Sequence, residues 1–235
     1  MYKKKKILCI IPARIGSKGL KFKNIKKINN KELFMYPLTA AKNSKFIDDI
    51  FVSSDSELIL KKSKKNGVNF SIKRPKKLCG NKISSYQVIH YVIEYLKKIK
   101  KFYDYLICLE PTSPLTDSND IDLAIKKIVS KSNMDSCISI SRAINFHPYN
   151  LYKIDKDILS SLFQNKSKQI RRQDLDKIYF IDGSLYISKI DSILKYRNFV
   201  SGNVIPFIVS KKKSFEIDDE IDFEIVKTLI KNKKL

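Results

Sequence analysis

Short apolar runs alternate with amphipathic stretches along almost the whole chain. That alternation limits the possible folds more than any other feature. Lys6–Ile11 reads as a buried strand, Tyr36–Ser44 as a short helix and Ile47–Ser53 as a second strand. Ser56–Lys65 is amphipathic and stops at Asn66-Gly67, a helix terminator. Val68–Ile72 is a short strand. Ser84–Lys101 is a long helix whose apolar Val88, Ile89, Val92, Ile93 and Leu96 recur at helical spacing. Asp104–Leu109 is a strand, Ser118–Ser130 a helix and Ser136–Ser141 a strand. Gly183–Ile187, Asp191–Tyr196, Val204–Val209 and Asp219–Lys231 continue as strand, helix, strand and closing helix. Such an order predicts an α/β fold, with a mostly parallel sheet covered by helices on both faces. Ligands of these sheets bind outside the carboxyl ends of the strands, so the loops after each strand carry the interest.

The pattern breaks between about 142 and 182. This polar stretch holds Asn145, His147-Pro148 and the Arg171-Arg172 pair. It reads as an excursion from the sheet, either a lid or a subunit contact. The 235 residues otherwise fit one domain.

A formal charge of +23 suggests nucleic acid or a membrane surface. The make-up of that charge argues against both. Lys contributes 41 residues and Arg only 6, Ile and Asn are abundant and Trp is absent, as expected of AT-rich coding. Dispersed lysines such as Lys61, Lys62, Lys64 and Lys65 read as a solvated helix face, and the aromatics are scattered through apolar runs. The rare Arg residues are the informative cations, because a planar fork suits carboxylate and phosphate. No apolar run approaches the roughly 20 residues that span a bilayer. The apolar part of the start, Ile7–Ile11, is too short for a signal peptide, which predicts a cytoplasmic protein. Cys9, Cys108 and Cys137 sit in strand-like runs and read as buried thiols. With Cys79 they form no CxxC pair, and neither His90 nor His147 lies near another ligand, so a zinc site is excluded.

Four motifs carry chemistry. Pro12-Ala13-Arg14-Ile15-Gly16-Ser17-Lys18-Gly19, followed by Lys21, Lys23 and Asn24, follows the first strand. Gly16 and Gly19 let backbone N–H groups approach an anion, Ser17 adds a hydroxyl, and Arg14, Lys18 and Lys23 neutralise phosphate charge. The spacing is neither GxxxxGK[ST] nor GxGxxG. Glu110-Pro111-Thr112-Ser113-Pro114-Leu115 is a stiff loop after another strand. In the extended segment Ser214–Asp218, Glu216 and Asp218 share a face, and two carboxylates beside a triphosphate make a Mg²⁺ site. Arg171-Arg172-Gln173, with Asp182-Gly183-Ser184 beyond it, suits a carboxylate or phosphate, although a solvated turn explains it equally well.

These motifs together resemble the acylneuraminate cytidylyltransferase family, the CMP-sialic acid synthetases. IPARIGSKGLKFKN resembles the family signature. Arg74-Pro75 with Leu78 and Ser84-Ser85, EPTSPL, RRQDLDKIYFIDGSLYI and FEIDDEIDF follow in the family's order from Ile10 to Phe223. The resemblance implies a Rossmann-like nucleotidyltransferase, usually a homodimer whose excursion carries the subunit contact. It implies that CTP and an acidic nine-carbon 2-keto sugar give a CMP-sugar and pyrophosphate, with Mg²⁺ as cofactor. It places Arg14, Gly16, Ser17, Lys18, Gly19, Lys23, Asn24, Arg74 and Ser84 around the nucleotide. It places Glu110, Arg172, Gln173 and Asp182 on the sugar side and Asp218, assisted by Glu216, on the metal. Arg14, Lys23 and Asp218 are the expected catalytic set.

The departures bear on the acceptor. Glu110 stands where the family has Gln, Thr116 where it has Arg, Asp182 where it has Asn, Asn81 where it has an acid, Asp176 where it has Pro and Glu216 where it has Asp. Three of them lie on the sugar side, which favours a di-N-acylated relative of N-acetylneuraminate, such as legionaminic or pseudaminic acid. The alternatives are a KDO-type or other CTP-dependent sugar enzyme, or a degenerate member that binds nucleotide without turnover.

Overall fold

The computed structural model describes residues 1–16, 19–80, 82–144, 147–162, 171, 173 and 175–232. Ile7–Pro12 forms β1, and its side chains alternate between two cores as strand geometry requires. Ile7, Cys9 and Ile11 face one core, while Leu8 and Ile10 face the other. The short strands β2 (Lys27–Ile28) and β3 (Lys31–Glu32) form a small hairpin. Helix α1 (Met35–Asn43), strand β4 (Asp49–Ser54), helix α2 (Glu57–Lys65) and strand β5 (Phe70–Lys73) follow. Helix α3 (Ser85–Lys98) is started by a capping box, in which the Ser84 hydroxyl and the Gln87 side chain satisfy each other's backbone N–H. Its five spaced apolar residues are all buried.

Strand β6 (Tyr105–Cys108), helix α4 (Ser118–Val129) and strand β7 (Ser136–Arg142) come next. After them, β8 (Tyr152–Asp155) and β9 (Ile158–Ser161) make a separate antiparallel hairpin. The long strand β10 (Tyr179–Lys189), helix α5 (Ile190–Tyr196), strand β11 (Val204–Ile208) and helix α6 (Glu220–Lys231) complete the chain.

Seven strands form the main sheet in the order β11-β7-β10-β6-β1-β4-β5. All pairings are parallel except those of β10, which runs antiparallel to both β6 and β7. Residues of α1, α2 and α4 pack in one core, and those of α3 and α5 in the other, so helices cover both faces as expected. Helix α6 builds a third core, in which Phe223 and Val226 pack with Leu20, Leu115 and Ile217. The order reverses between β1 and β6, because β4 lies on one side of β1 and β6 on the other. That switch point opens a crevice at the strands' carboxyl ends.

Two expectations change. The excursion is shorter than 142–182. Arg142 ends β7, and Tyr179, Phe180 and Ile181 already pair with Arg142, Ser141 and Ile140. The strand expected at Gly183 begins at Tyr179, and its register shifts between Ile181 and Tyr186, around Gly183. Gly183 has φ +74°, where glycine avoids the steric cost of a side chain. Among the described residues no helix is long and apolar enough to cross a membrane.

Candidate active site

The crevice at the switch point has two connected lobes. The larger, about 660 Å³, is lined by Arg14, Arg74, Ser84, Glu110, Tyr186 and Glu216 among others. The smaller, about 380 Å³, is lined by Arg14, Gly19, Lys23, Asn24, Glu110 and Asp218 among others. Arg14 and Glu110 border both lobes, at the carboxyl ends of β1 and β6.

Three of the sequence motifs meet at Ile217, which is wholly buried. Its N–H donates to the Thr112 carbonyl at 2.9 Å, joining the Glu110–Leu115 loop to the acidic segment. Its carbonyl accepts the Lys23 ammonium at 2.5 Å, which joins the glycine-rich loop to the same point. Gly19 packs flat on the Asp218 carbonyl, and a Cβ there would collide with it. The Lys23 ammonium also lies 3.1 Å from the Asp218 carboxylate, which is largely solvent-exposed. Glu216 and Asp218 flank the buried Ile217 and border different lobes.

The cationic wall is fixed from below. Arg74 is 5% exposed. Its Nη2 donates to the Ser53 carbonyl at 2.9 Å and its Nε to the Ser53 hydroxyl at 3.2 Å. Burial pulls its guanidinium below the usual value, and Asp55 and Glu110 oppose that shift. The Asp55 carboxylate accepts the Ile15 N–H at 2.7 Å and so holds the loop after β1. Asn24 is buried, and its Nδ2 donates to the Arg14 carbonyl at 2.7 Å. Its Oδ1 has no hydrogen-bond partner. Ser84 borders the larger lobe while its hydroxyl caps α3.

The acidic wall is electrostatically crowded. Burial, then the nearby Asp218 and Glu110 carboxylates, push Glu216 up to about 7. The Ser113 hydroxyl donates to its Oε1 at 3.3 Å. Burial also raises Glu110, whose Oε1 accepts weak contacts from the Ser85 hydroxyl and the Cys108 thiol. Crowding of this kind calls for a cation or a shared proton. Among the described residues no three His, Cys, Asp or Glu side chains converge as a ready-made metal cage. The donors present are hard carboxylate oxygens, and a magnesium ion normally takes one or two of these plus substrate phosphates. The donor set therefore suits that ion.

The remaining expected residues fall elsewhere. Ser17, Lys18 and Arg172 lie outside the described residues, as does Asn81. Gly16 is exposed, with nothing near its Cβ position. Gln173 is exposed and borders neither lobe. Asp182 is 1% exposed and also borders neither. Its Oδ1 accepts from the Ser139 hydroxyl and from the Ser184 N–H and hydroxyl, so it braces the β10 irregularity, while Oδ2 has no hydrogen-bond partner. Thr116 is buried, and its hydroxyl donates to the Ser184 carbonyl at 3.4 Å.

The Cytidylyltransferase family model matches residues 8–234. The chain belongs to the cytidylyltransferase family. It is 36% identical to post-translational flagellin modification protein B of Campylobacter coli, covering 97% of both chains. It is 34% identical to CMP-N,N'-diacetyllegionaminic acid synthase of Campylobacter jejuni, again over 97% of each. Against N-acylneuraminate cytidylyltransferase of Escherichia coli it is 30% identical over 97% of its own length, and spans 53% of that relative. In fold it is similar to CMP:2-keto-3-deoxy-manno-octonic acid synthetase, solved with CTP, at a TM-score of 0.71 and 16% identity, covering 97% of this chain and 99% of that one.

Sequence reading missed several residues of this cytidylyltransferase that the crevice uses. Asp55 gave no signal, because a carboxylate at a strand end reads as a turn. Tyr186 was visible only as one aromatic in an apolar strand. The segment Arg197–Val200, after α5, borders the larger lobe. Its one signal was an Arg in a chain that otherwise uses Lys.

Proposed function

We propose that this cytidylyltransferase transfers CMP from CTP to the anomeric hydroxyl of a nine-carbon 2-keto sugar acid and releases pyrophosphate. The observation that carries the reading is the two-lobed crevice, joined where Arg14 and Glu110 border both halves. The smaller lobe has the glycine backbone and ammonium expected of a triphosphate site. The larger has room for a nucleoside and a sugar side by side. The names of two relatives, an N-acylneuraminate cytidylyltransferase and a CMP-N,N'-diacetyllegionaminic acid synthase, supply the acceptor class.

The chain's own residues then have separable tasks. The Gly16–Gly19 backbone, Ser17, Lys18, Lys23 and Arg14 bind the phosphates. Asn24, Arg74 and Ser84 border the nucleoside. The sugar hydroxyl attacks the α-phosphate in line, the bond to the bridging oxygen breaks, and pyrophosphate leaves. Arg14, Lys23 and Asp218 form the catalytic set, positioning the phosphates and neutralising their charge. Asp218 and Glu216 would hold Mg²⁺. When bound, the ion would supply neutralisation of the phosphate charge. A carboxylate of the acidic wall takes the hydroxyl proton. Glu110 faces the acceptor, and its raised carboxyl repels the sugar's carboxylate less than an ordinary one.

The acceptor is a di-N-acylated sugar of the legionaminic or pseudaminic type. The departures on the sugar side and the identity to the diacetyllegionaminic acid synthase support this. The working unit is a homodimer. Ile154 is 76% exposed, Ile158 69% and Leu159 64%, an apolar hairpin that a second copy would cover. A CTP-consuming reaction belongs in the cytoplasm.

Pyrophosphate release with CTP against N-acetylneuraminic, legionaminic, pseudaminic and KDO acids tests the reading. Release is expected fastest with a di-N-acylated acid. Faster release with N-acetylneuraminate overturns the acceptor, and no release with any nine-carbon acid overturns the function.

A further inference from the structure

Arg197 is one of six arginines in a chain with 41 lysines. It ends α5 with φ 56° and ψ 22°, a left-handed backbone usually left to glycine. For a side chain that conformation costs on the order of 1 kcal/mol. Its neighbour Phe199 is buried, packs in a tilted arrangement at 5.1 Å centroid distance against Tyr186, and accepts the Ser136 hydroxyl at 2.6 Å through its carbonyl. The Asn198 side chain accepts the Val200 N–H at 2.9 Å and sets the turn. The segment is therefore anchored, while Arg197 and Asn198 stay exposed along the larger lobe. Among the described residues the Arg197 guanidinium has no hydrogen-bond or ion-pair partner.

Its place within the crevice is informative. Arg197 borders the larger lobe but not the smaller one, where the phosphates are assigned. It also borders a groove of about 510 Å³ beyond that lobe, with Tyr86, Gln87 and His90. It therefore stands at the outer rim, away from the junction at Arg14 and Glu110. It follows β10 and α5, on the β10 side of the switch point, whereas the residues assigned to the nucleotide follow β1 and β5 or cap α3.

We propose that Arg197 is a specificity-determining residue that donates to an N-acyl carbonyl oxygen at the end of the acceptor away from the reacting carbon. This rests on the function proposed above. The acceptor's carboxylate is bonded to the anomeric carbon, so it stays near the junction and cannot serve a cation at the rim. What reaches the rim is the substituted tail, whose strongest acceptors are amide carbonyls. A planar guanidinium fork matches such an oxygen in direction as well as charge, and a lysine does not.

The test is steady-state kinetics of wild type, Arg197→Ala and Arg197→Lys with CTP and a di-N-acylated nine-carbon acid, with N-acetylneuraminate alongside. Arg197→Ala is expected to raise the acceptor KM about tenfold, as loss of a charged hydrogen bond implies. The CTP KM should stay within about twofold and the melting temperature should not fall, since no intramolecular partner is lost. Arg197→Lys should recover only part of the loss, and the loss should be smaller with the singly acylated acid. An unchanged acceptor KM, or a CTP KM that rises equally, overturns the assignment while wild-type turnover leaves the function standing. Absence of wild-type turnover with every nine-carbon acid overturns both.

Discussion

Gly183 lies directly beneath the Glu216 carboxylate, at φ +74°, in the irregular turn of β10. Any Cβ at this position would occupy the space of the carboxylate. This acid of the crevice thus rests on a residue some thirty positions earlier in the chain.

Gly183→Ala is therefore expected to displace Glu216 and to strain the backbone, at about 1–3 kcal/mol. Turnover should fall more than stability alone explains. Comparing kcat with the urea midpoint separates the two, and an unchanged kcat would show that Glu216 is not needed where it sits.

Glu216 also sets a pH dependence of stability. Its value in the folded protein, about 7, lies above its ordinary 4.5. The folded state keeps the proton longer, so this stabilisation is complete below pH 4.5 and is lost as pH rises through 7. Glu32, Glu57, Glu94, Asp104 and Asp135 are all lowered and contribute in the opposite sense, below the carboxylate range. The difference in melting temperature between Glu216→Gln and wild type isolates the Glu216 part. The variant should gain on wild type between pH 4.5 and 7, and a flat difference counts against the crowding.

Removing the Lys23 ammonium is expected to lower kcat/KM for CTP about a hundredfold, the usual loss for one group that stabilises transferring phosphate. Lys23→Ala also vacates the Ile217 carbonyl and the Asp218 carboxylate. Asp218→Asn in the same background should then cost less than it does alone. Additive losses would mean that the two groups act independently.

Arg74→Lys keeps the charge but cannot reproduce the paired bonds to Ser53. A buried ammonium with fewer partners should destabilise the fold by about 2 kcal/mol. Urea unfolding measures this, and a rise in CTP KM should accompany it. A loss of stability without any change in CTP KM would make Arg74 a purely structural residue.

Assembly through the hairpin is tested by Ile154→Asp combined with Leu159→Asp. These residues pair across β8 and β9 and so share one face. Light scattering after gel filtration should find a dimer for wild type and a monomer for the variant. A wild-type monomer at micromolar concentration would dismiss the apolar face as an interface.

Much of this was legible beforehand. Helical spacing located α3, and the apolar alternation of β1 to β6 predicted a covered parallel sheet. Periodicity carries no information on strand direction, so the antiparallel course of β10 was invisible. Its first residues, Tyr179, Phe180 and Ile181, are all exposed and show no alternation, which hid the strand's start. The glycine-rich loop, the Glu110 loop and the acidic segment each looked suggestive alone. Their meeting at Ile217 depends on long-range hydrogen bonds that no local pattern encodes. Asp182 was misplaced for a related reason. A carboxylate next to glycine reads as ligand-facing, but serines from β7 and β10 bond its Oδ1 inside the sheet. Arg197 needed the third dimension altogether, since its neighbours in sequence carry no motif.

The long strand β10 has one further consequence. Its first three residues are exposed, Gly183 supports Glu216, and Tyr186 borders the larger lobe. These stations are separated by only a few residues, on the order of 15–20 Å of extended backbone. Along it, β7 pairs with Tyr179–Ile181 and again from Tyr186, whereas β6 joins the other edge only from Tyr186, which leaves the irregular turn at Gly183 between the two paired stretches. The support of Glu216 therefore lies only a few residues from an exposed strand end. One strand thus serves both an exposed end and the crevice, and a substitution at Tyr179–Ile181 is made within a few residues of the glycine that supports Glu216.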